Sequence, residues 1–254
     1  MKKEWNIRNE VKWAVALTGL LALIVFAERK HADVVCKDII VRLSNVQENH
    51  FMNEGDALRV VEAGQPNLRG KKFSEINLKE FEAKLLRNKH VSDAELFRDL
   101  KGNLIVNVEL RRPIARLVQD EGPDAYLAED GALMPVSENF TSRVIIISGD
   151  FVKTILQREN MNDFEEGQQL MAMIEYIHAD SFWEAQASQL DIDKAGKVFI
   201  IPQITGQSVE FGLPDNIEEK FKKLKVFYKK ILPQMGWTKY KRVNLEYKGQ
   251  VVAE

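Results

Sequence analysis

The chain has 254 residues, of which 45% are hydrophobic and 29% are charged, a globular balance that excludes a wholly disordered chain and allows one or two domains. The formal net charge of -2 argues against a protein whose main ligand is a nucleic acid. A single cysteine excludes an intramolecular disulfide framework, and a mean hydropathy of -0.28 excludes a bundle of membrane spans but not one span.

An uncharged apolar run covers residues 13–27, between a basic N-terminal segment and the charged residues 28–30. This run is shorter than the ~20 residues that usually cross a bilayer, although the stem of Lys12 can lengthen it. A buried helix would keep a polar face and a cleaved signal peptide would show a small-residue cleavage site, and the sequence has neither. We therefore predict a cytoplasmic tail at residues 1–11 and a transmembrane helix at residues 12–28, with the bulk of the chain outside the cytoplasm.

Residues 34–112 have the pattern of a compact α+β unit with the order β-α-α-β-β. Alternating apolar residues predict its strands, and apolar residues at helical spacing predict its two helices. The last strand alternates most clearly and is closed by Pro113. The predicted elements are a strand at 39–43, helices at 53–62 and 77–88, and strands at 91–98 and 104–110.

Residues 113–249 are predicted to form a second, β-rich unit, followed by a C-terminal tail at residues 250–254. The helix predicted at 217–231 has an inward apolar face that ends with Tyr228 and Ile231, and a lysine-rich outer face. Such a face is typical of a solvated helix, and contact with anionic lipid or a partner is the alternative. The predicted elements are strands at 114–118, 125–127 and 143–148, a helix at 162–178, strands at 187–192, 197–201 and 208–212, the helix at 217–231 and a last strand at 240–247.

The residue types that usually carry catalysis or bind metals form no recognisable motif. The four histidines lack metal-ligand spacing. Residues 64–71 depart from a phosphate loop because five residues separate the glycines and Lys72 stands where Ser or Thr should be. Residues 191–202 depart from a calcium loop because the twelfth position is Pro202. Cys36 has no neighbouring histidine that could activate it. We predict that the chain is not an enzyme and has no cofactor or metal.

The last predicted strand is a candidate for contact with another protein. A terminal strand often lies at the edge of a sheet, where unpaired backbone groups can accept a strand from a second chain. The alternative is an ordinary edge that Glu246 and Lys248 protect with their charges. Periodicity alone leaves both open.

Four segments, in the same order, resemble motifs of the bacterial cell-division family FtsQ, called DivIB in other bacteria. Residues 90–96 are similar to its P-V-x-x-A-x-V motif, and residues 103–115 to its L-x-I-x-V-x-E-R-x-P-v-A motif. Residues 126–135 resemble its Y-[IL]-D-x-x-G motif, with Ala128 in place of the aspartate, and residues 240–252 resemble its C-terminal strand in Bacteroidetes. The resemblance covers nearly the whole chain.

The resemblance implies an α+β protein with a single N-terminal transmembrane helix, a POTRA domain at 34–112 and a β-rich domain with flanking helices and a C-terminal edge strand. It further implies a non-enzymatic scaffold of the inner membrane at the division septum, which helps to regulate septal peptidoglycan synthesis. Its partners would be the single-pass proteins FtsB and FtsL, together with other division proteins. The partner-binding residues that it implies are Tyr240, Val243, Asn244, Leu245, Glu246, Tyr247, Lys248, Gln250, Val251 and Val252.

Two other functions are compatible with an anchored envelope protein. A POTRA-containing chaperone of outer-membrane insertion would bind unfolded barrel strands, but no barrel sequence follows the predicted POTRA unit. An anchored envelope hydrolase would need a nucleophile or a metal site, and the sequence offers no motif for either.

Overall fold

The computed structural model describes residues 9–32, 34–46, 49–137, 140–204 and 206–254, and within the first helix it describes the side chains of residues 11–23. Most of the predicted cytoplasmic tail lies outside the described residues. The chain divides into two compact units, and the second comprises residues 45–52, 89–92 and 110–254.

The first helix, α1 (Asn9–Ala32), contains the predicted membrane span. Its large apolar side chains are exposed on all sides, from Val11 to Leu23, with Trp13 exposed by 77%. No helix in the described part of the chain is both long and apolar enough to span a membrane.

The β-α-α-β-β order predicted for the first unit is confirmed. Its three strands form a sheet in the order β1-β3-β2, in which β1 and β3 are parallel and Ile39 lies opposite Leu104. The first of its two helices begins with a capping box, because the side chain of Asn53 accepts the Asp56 N–H and the Asp56 carboxylate accepts the Asn53 N–H. The elements are β1 (Ile39–Ser44), α2 (Glu54–Gly64), α3 (Leu78–Leu86), β2 (Val91–Arg98) and β3 (Leu104–Leu110).

The second unit is built on one nine-stranded sheet with the order β12-β11-β10-β9-β8-β7-β4-β5-β6. Parallel pairing joins β4 to β7, β7 to β8 and β10 to β11, and the other neighbours are antiparallel. Its strands are β4 (Pro113–Leu117), β5 (Ala125–Ala128), β6 (Leu133–Pro135), β7 (Ile145–Ser148), β8 (Ala187–Ile192), β9 (Val198–Pro202), β10 (Ser208–Gly212), β11 (Arg242–Asn244) and β12 (Val252–Ala253), and its helices are α4 (Val152–Leu156), α5 (Glu165–Ala179), α6 (Ser181–Gln186), α7 (Ile217–Val226) and α8 (Leu232–Met235).

The core of the second unit lies between this sheet and its helices. Tyr176 of α5 stacks on Phe221 of α7 with ring centres 5.0 Å apart, and Trp183 of α6 lies 4.9 Å from the same phenylalanine ring. Phe211 of β10 contacts Phe221 from the sheet side, at 5.1 Å. The aromatic cluster therefore joins three helices to the C-terminal half of the sheet.

For the helix at 217–231, the prediction that Ile231 belongs to the inward face is wrong. A π-helical turn at Phe227–Ile231 follows α7, and the Leu232 N–H donates to the Phe227 carbonyl. The extra residue in this turn shifts the helical register. Leu232 is therefore fully buried, and Ile231 is exposed by 41%.

Two other local predictions are corrected. The helix predicted from Asn162 begins at Glu165, because the side chain of Asn162 is used to bond the Asp130 carbonyl at 3.0 Å. The last strand, predicted at 240–247, is only Arg242–Asn244, and the sheet does not end there. The chain turns back within residues 245–251 and adds β12, which lies in the range predicted as a tail.

Candidate partner-binding edge

The outermost strand at one end of the large sheet is β12. It pairs antiparallel with β11, so that Val243 lies opposite Ala253 and Asn244 opposite Val252. The Arg242 N–H donates to the Glu254 carbonyl at 3.1 Å, and the Glu254 N–H donates back at 3.0 Å. Arg242 and Glu254 are thus a hydrogen-bonded pair of the ladder.

This register fixes which backbone groups of β12 face outward. Hydrogen-bonded and non-hydrogen-bonded pairs alternate in an antiparallel ladder, so Ala253 points its N–H and C=O away from Val243. The Leu245 N–H donates to the Glu210 carbonyl in β10 at 2.9 Å, so the chain just after β11 still faces β10 and not β12. No other backbone group in the described ranges bonds the outward groups of Ala253. A strand from another chain can pair with these groups.

The opposite edge of the sheet is partly covered. Ala132, just before β6, forms a bridge with Asn160, and the Leu133 N–H lies 3.5 Å from the Glu159 carbonyl. The chain itself therefore occupies part of the outer side of β6. Of the two ends of this sheet, the β12 end is the more open to a second protein.

Charged side chains hold β11 in its parallel register with β10. The Glu210 carboxylate accepts from the Arg242 guanidinium and from the Asn244 amide. The hydrogen bond from Arg242 is the main cause that holds the pKa of the Glu210 carboxyl below its usual range. On the other side of the strand end, the Lys223 ammonium donates to the Tyr247 carbonyl at 2.8 Å. These contacts hold β11 in place, and β12 pairs with β11.

We expect Glu210→Gln to destabilise the second unit by up to about 1 kcal/mol at neutral pH, with less effect in acid. A carboxyl whose folded pKa is depressed stabilises the fold above its unfolded pKa of about 4.3, and this stabilisation is lost as the pH falls through the folded value. Urea unfolding of both proteins at pH 7 and near pH 3 measures the difference. A difference that stays constant between the two pH values would contradict the role given to the Glu210–Arg242 pair.

The structure places the predicted partner residues in two groups, and the first is buried or half-buried. Val243 and Leu245 are fully buried in the core of the second unit. The ring of Tyr240 packs against the ring of Phe227, with ring centres 5.7 Å apart. The side-chain amide of Asn244 donates to the Glu210 carboxylate. These residues support the edge from inside.

The second group lies on the surface around the edge. Tyr247 is exposed by 52%, and Lys248 and Gln250 are also exposed. The Glu246 carboxylate is 2.8 Å from the Lys197 ammonium. Val252 belongs to β12, and Val251 directly precedes it.

Sequence reasoning missed Ala253 and Glu254, which complete the pairing with β11. A strand of two residues has no periodicity to detect. The available signal was the pair of β-branched residues Val251 and Val252 shortly after Gly249.

Within the described ranges, no group of three or more His, Cys, Asp or Glu side chains is arranged to hold a metal ion. The candidate edge consists of backbone donors and acceptors with aliphatic and aromatic neighbours. An arrangement of this kind is able to pair with an extended polypeptide.

Comparison with known families finds two domains in the same order along the chain. Residues 112–254 match the family described as FtsQ/DivIB, C-terminal related, and residues 34–109 match a POTRA-like domain. The chain belongs to the FtsQ/DivIB family. The family resemblance inferred from the sequence is thereby confirmed, as is the α+β architecture of a POTRA-like domain followed by a β-rich domain. No curated protein matches the chain closely enough for comparison.

Membership of the FtsQ/DivIB family gives the chain a role in cell division and division proteins as partners. The family is one of non-catalytic division scaffolds, in agreement with the prediction that this chain is not an enzyme. The candidate edge lies inside the C-terminal region that matches the family.

Proposed function

We propose that this FtsQ/DivIB-family protein is a septal scaffold that binds FtsB- and FtsL-like proteins by strand addition at the outer edge of β12 and thereby helps to regulate septal peptidoglycan synthesis. The observation that carries the proposal is the outward-facing backbone of Ala253 in the family-matched region. Each unpaired N–H and C=O offers a hydrogen bond to an added strand. The exposed ring of Tyr247 beside this edge is suited to anchor a partner side chain.

Septal localisation tests the scaffold role as a whole. A fluorescent fusion of the full chain, expressed at native level in dividing cells, is expected to form a band at the septum. A diffuse envelope signal would contradict a septal scaffold.

We further propose that α1 anchors the protein in the inner membrane with the N-terminus in the cytoplasm. The uncharged run at residues 13–27 lies inside α1 and is about 22 Å long, and the stem of Lys12 can extend it toward the ~30 Å of a hydrocarbon core. The described side chains of α1 end at residue 23, and the uncharged run of the sequence continues to residue 27. Large apolar side chains exposed on every side of a helix favour a lipid environment.

Replacing Leu17 and Leu20 by Lys is expected to release the protein from membranes, because each charge at the centre of a spanning helix costs about 2.5–3.5 kcal/mol. Extraction of membranes at alkaline pH measures the change, and Leu17→Ile with Leu20→Ile is the matched control. A C-terminal reporter that is active only in the cytoplasm should be inactive. Full release of the unaltered protein, or an active reporter, would contradict the anchor or its orientation.

A further inference from the structure

A second surface of the C-terminal unit combines positive charge with exposed apolar side chains. It is the turn at residues 229–241, which we call the basic corner. The corner contains Lys229, Lys230, Lys239 and Lys241 and no acidic residue, and no Asp or Glu occurs between Glu219 and Glu246. Within the described ranges, none of these four lysines forms a salt bridge, although the ammonium groups of Lys229 and Lys239 each lie 5.4 Å from an aromatic ring centre, that of Phe182 and of Tyr240 respectively.

Three large apolar side chains project from the same turn. Ile231, Met235 and Trp237 are exposed by 41%, 44% and 47%. Ile231 is outward because the π-helical turn places Leu232 in the core instead. Large apolar residues grouped on a soluble surface and flanked by charges usually mark a contact site.

The backbone holds this corner in a defined shape. The Gly236 N–H donates to the Leu232 carbonyl at 2.8 Å, and the Lys239 N–H lies 3.3 Å from the Gly236 carbonyl. The side-chain amide of Gln207, a residue only 2% exposed, donates to the Trp237 carbonyl at 3.2 Å. A buried polar side chain thus fixes the position of an exposed tryptophan.

We propose that the basic corner docks on an anionic membrane surface, with Trp237 at the level of the lipid head groups. All four charges are lysines, which are depleted at protein interfaces, where arginine is enriched. Clustered lysines next to a membrane bind anionic lipids, and tryptophan is enriched at the membrane–water interface. The chemistry of the corner therefore fits a lipid surface better than a protein. The proposal uses the lysine side chains and Trp237 and not the outer edge of β12, although the Lys241 N–H donates to the Glu254 carbonyl at 2.7 Å.

Quenching of tryptophan fluorescence by brominated lipid tests this proposal on the full chain. The chain is reconstituted in phosphatidylcholine vesicles with and without brominated phosphatidylglycerol. The difference between the unaltered protein and Trp237→Phe reports on Trp237 alone. We expect Trp237 to be quenched by the anionic brominated lipid, and the quenching to fall roughly fivefold when all four lysines of the corner are replaced by Gln.

A matched control removes four lysines elsewhere, with Lys37, Lys79, Lys101 and Lys153 replaced by Gln, and should leave the quenching unchanged. The proposal is overturned if Trp237 is not quenched, or if both lysine variants lose quenching equally. It is also overturned if the corner variant loses capture of the FtsB- and FtsL-like pair in detergent without a bilayer, because the corner would then bind protein.

Discussion

Ala253→Pro is expected to weaken capture of the FtsB- and FtsL-like pair at least tenfold, or by about 1.4 kcal/mol or more, while the protein stays folded. Proline removes the outward N–H of Ala253 and places its ring where an added strand would approach. That N–H makes no bond to β11, because Val243 and Ala253 are a non-hydrogen-bonded pair. Proline is tolerated on edge strands for this reason.

Co-purification and a titration with the purified pair measure the effect. Ala253→Ser keeps the backbone N–H and a small side chain, so it should bind as the unaltered protein does. Equal unfolding free energies of the two variants would exclude a folding defect. If Ala253→Pro captures the pair as well as Ala253→Ser does, partner binding does not use this edge.

Gly149→Ala is expected to destabilise the second unit by about 3 kcal/mol or more. Gly149 follows β7 with φ near 97°, and a Cβ at this position would lie 2.3 Å from the Ile192 carbonyl oxygen and 2.7 Å from the Ile192 nitrogen. Both atoms belong to the backbone of the neighbouring strand β8, which cannot move without breaking the sheet. The left-handed conformation adds about 1 kcal/mol for a residue with a side chain.

Gly196→Ala is the matched control for this change. Gly196 also has positive φ, near 79°, but the atom nearest to an added Cβ is 4.0 Å away, on Leu213. The control should therefore lose only the conformational cost of about 1 kcal/mol. Urea unfolding compares the two variants, and equal losses would show that the close approach of Gly149 to β8 does not limit stability.

The order of strands and helices in the first unit could be predicted from the sequence because these elements have strong periodicity. In the strand at Leu104–Leu110 the burial alternates from Val106 onward, although Ile105 is buried as well, and the helix at Leu78–Leu86 presents Phe81 and Leu85 to the core. Local patterns of this kind report directly on which face is buried. Pairing partners are not local, and the parallel pairing of β10 with β11 could not be read from the spacing of residues.

The candidate edge was only partly predictable. The sequence indicated the end of the chain at which the candidate edge lies, and it assigned partner contact to Leu245, which the structure buries completely. Burial there depends on the return of the chain to form β12, and two residues leave no pattern. The exposure of Ile231 escaped prediction for a similar reason, because a π-helical turn changes the register by one residue without a sequence signal.

Amide hydrogen exchange of the full chain, with and without the FtsB- and FtsL-like pair, tests strand addition most directly. An added strand would bond the outward amide of Ala253, so we expect exchange at Ala253 to slow at least tenfold when the pair binds. The amide of Glu254, already bonded to Arg242, should change less. Capture of the pair with unchanged exchange at Ala253 would contradict strand addition at β12.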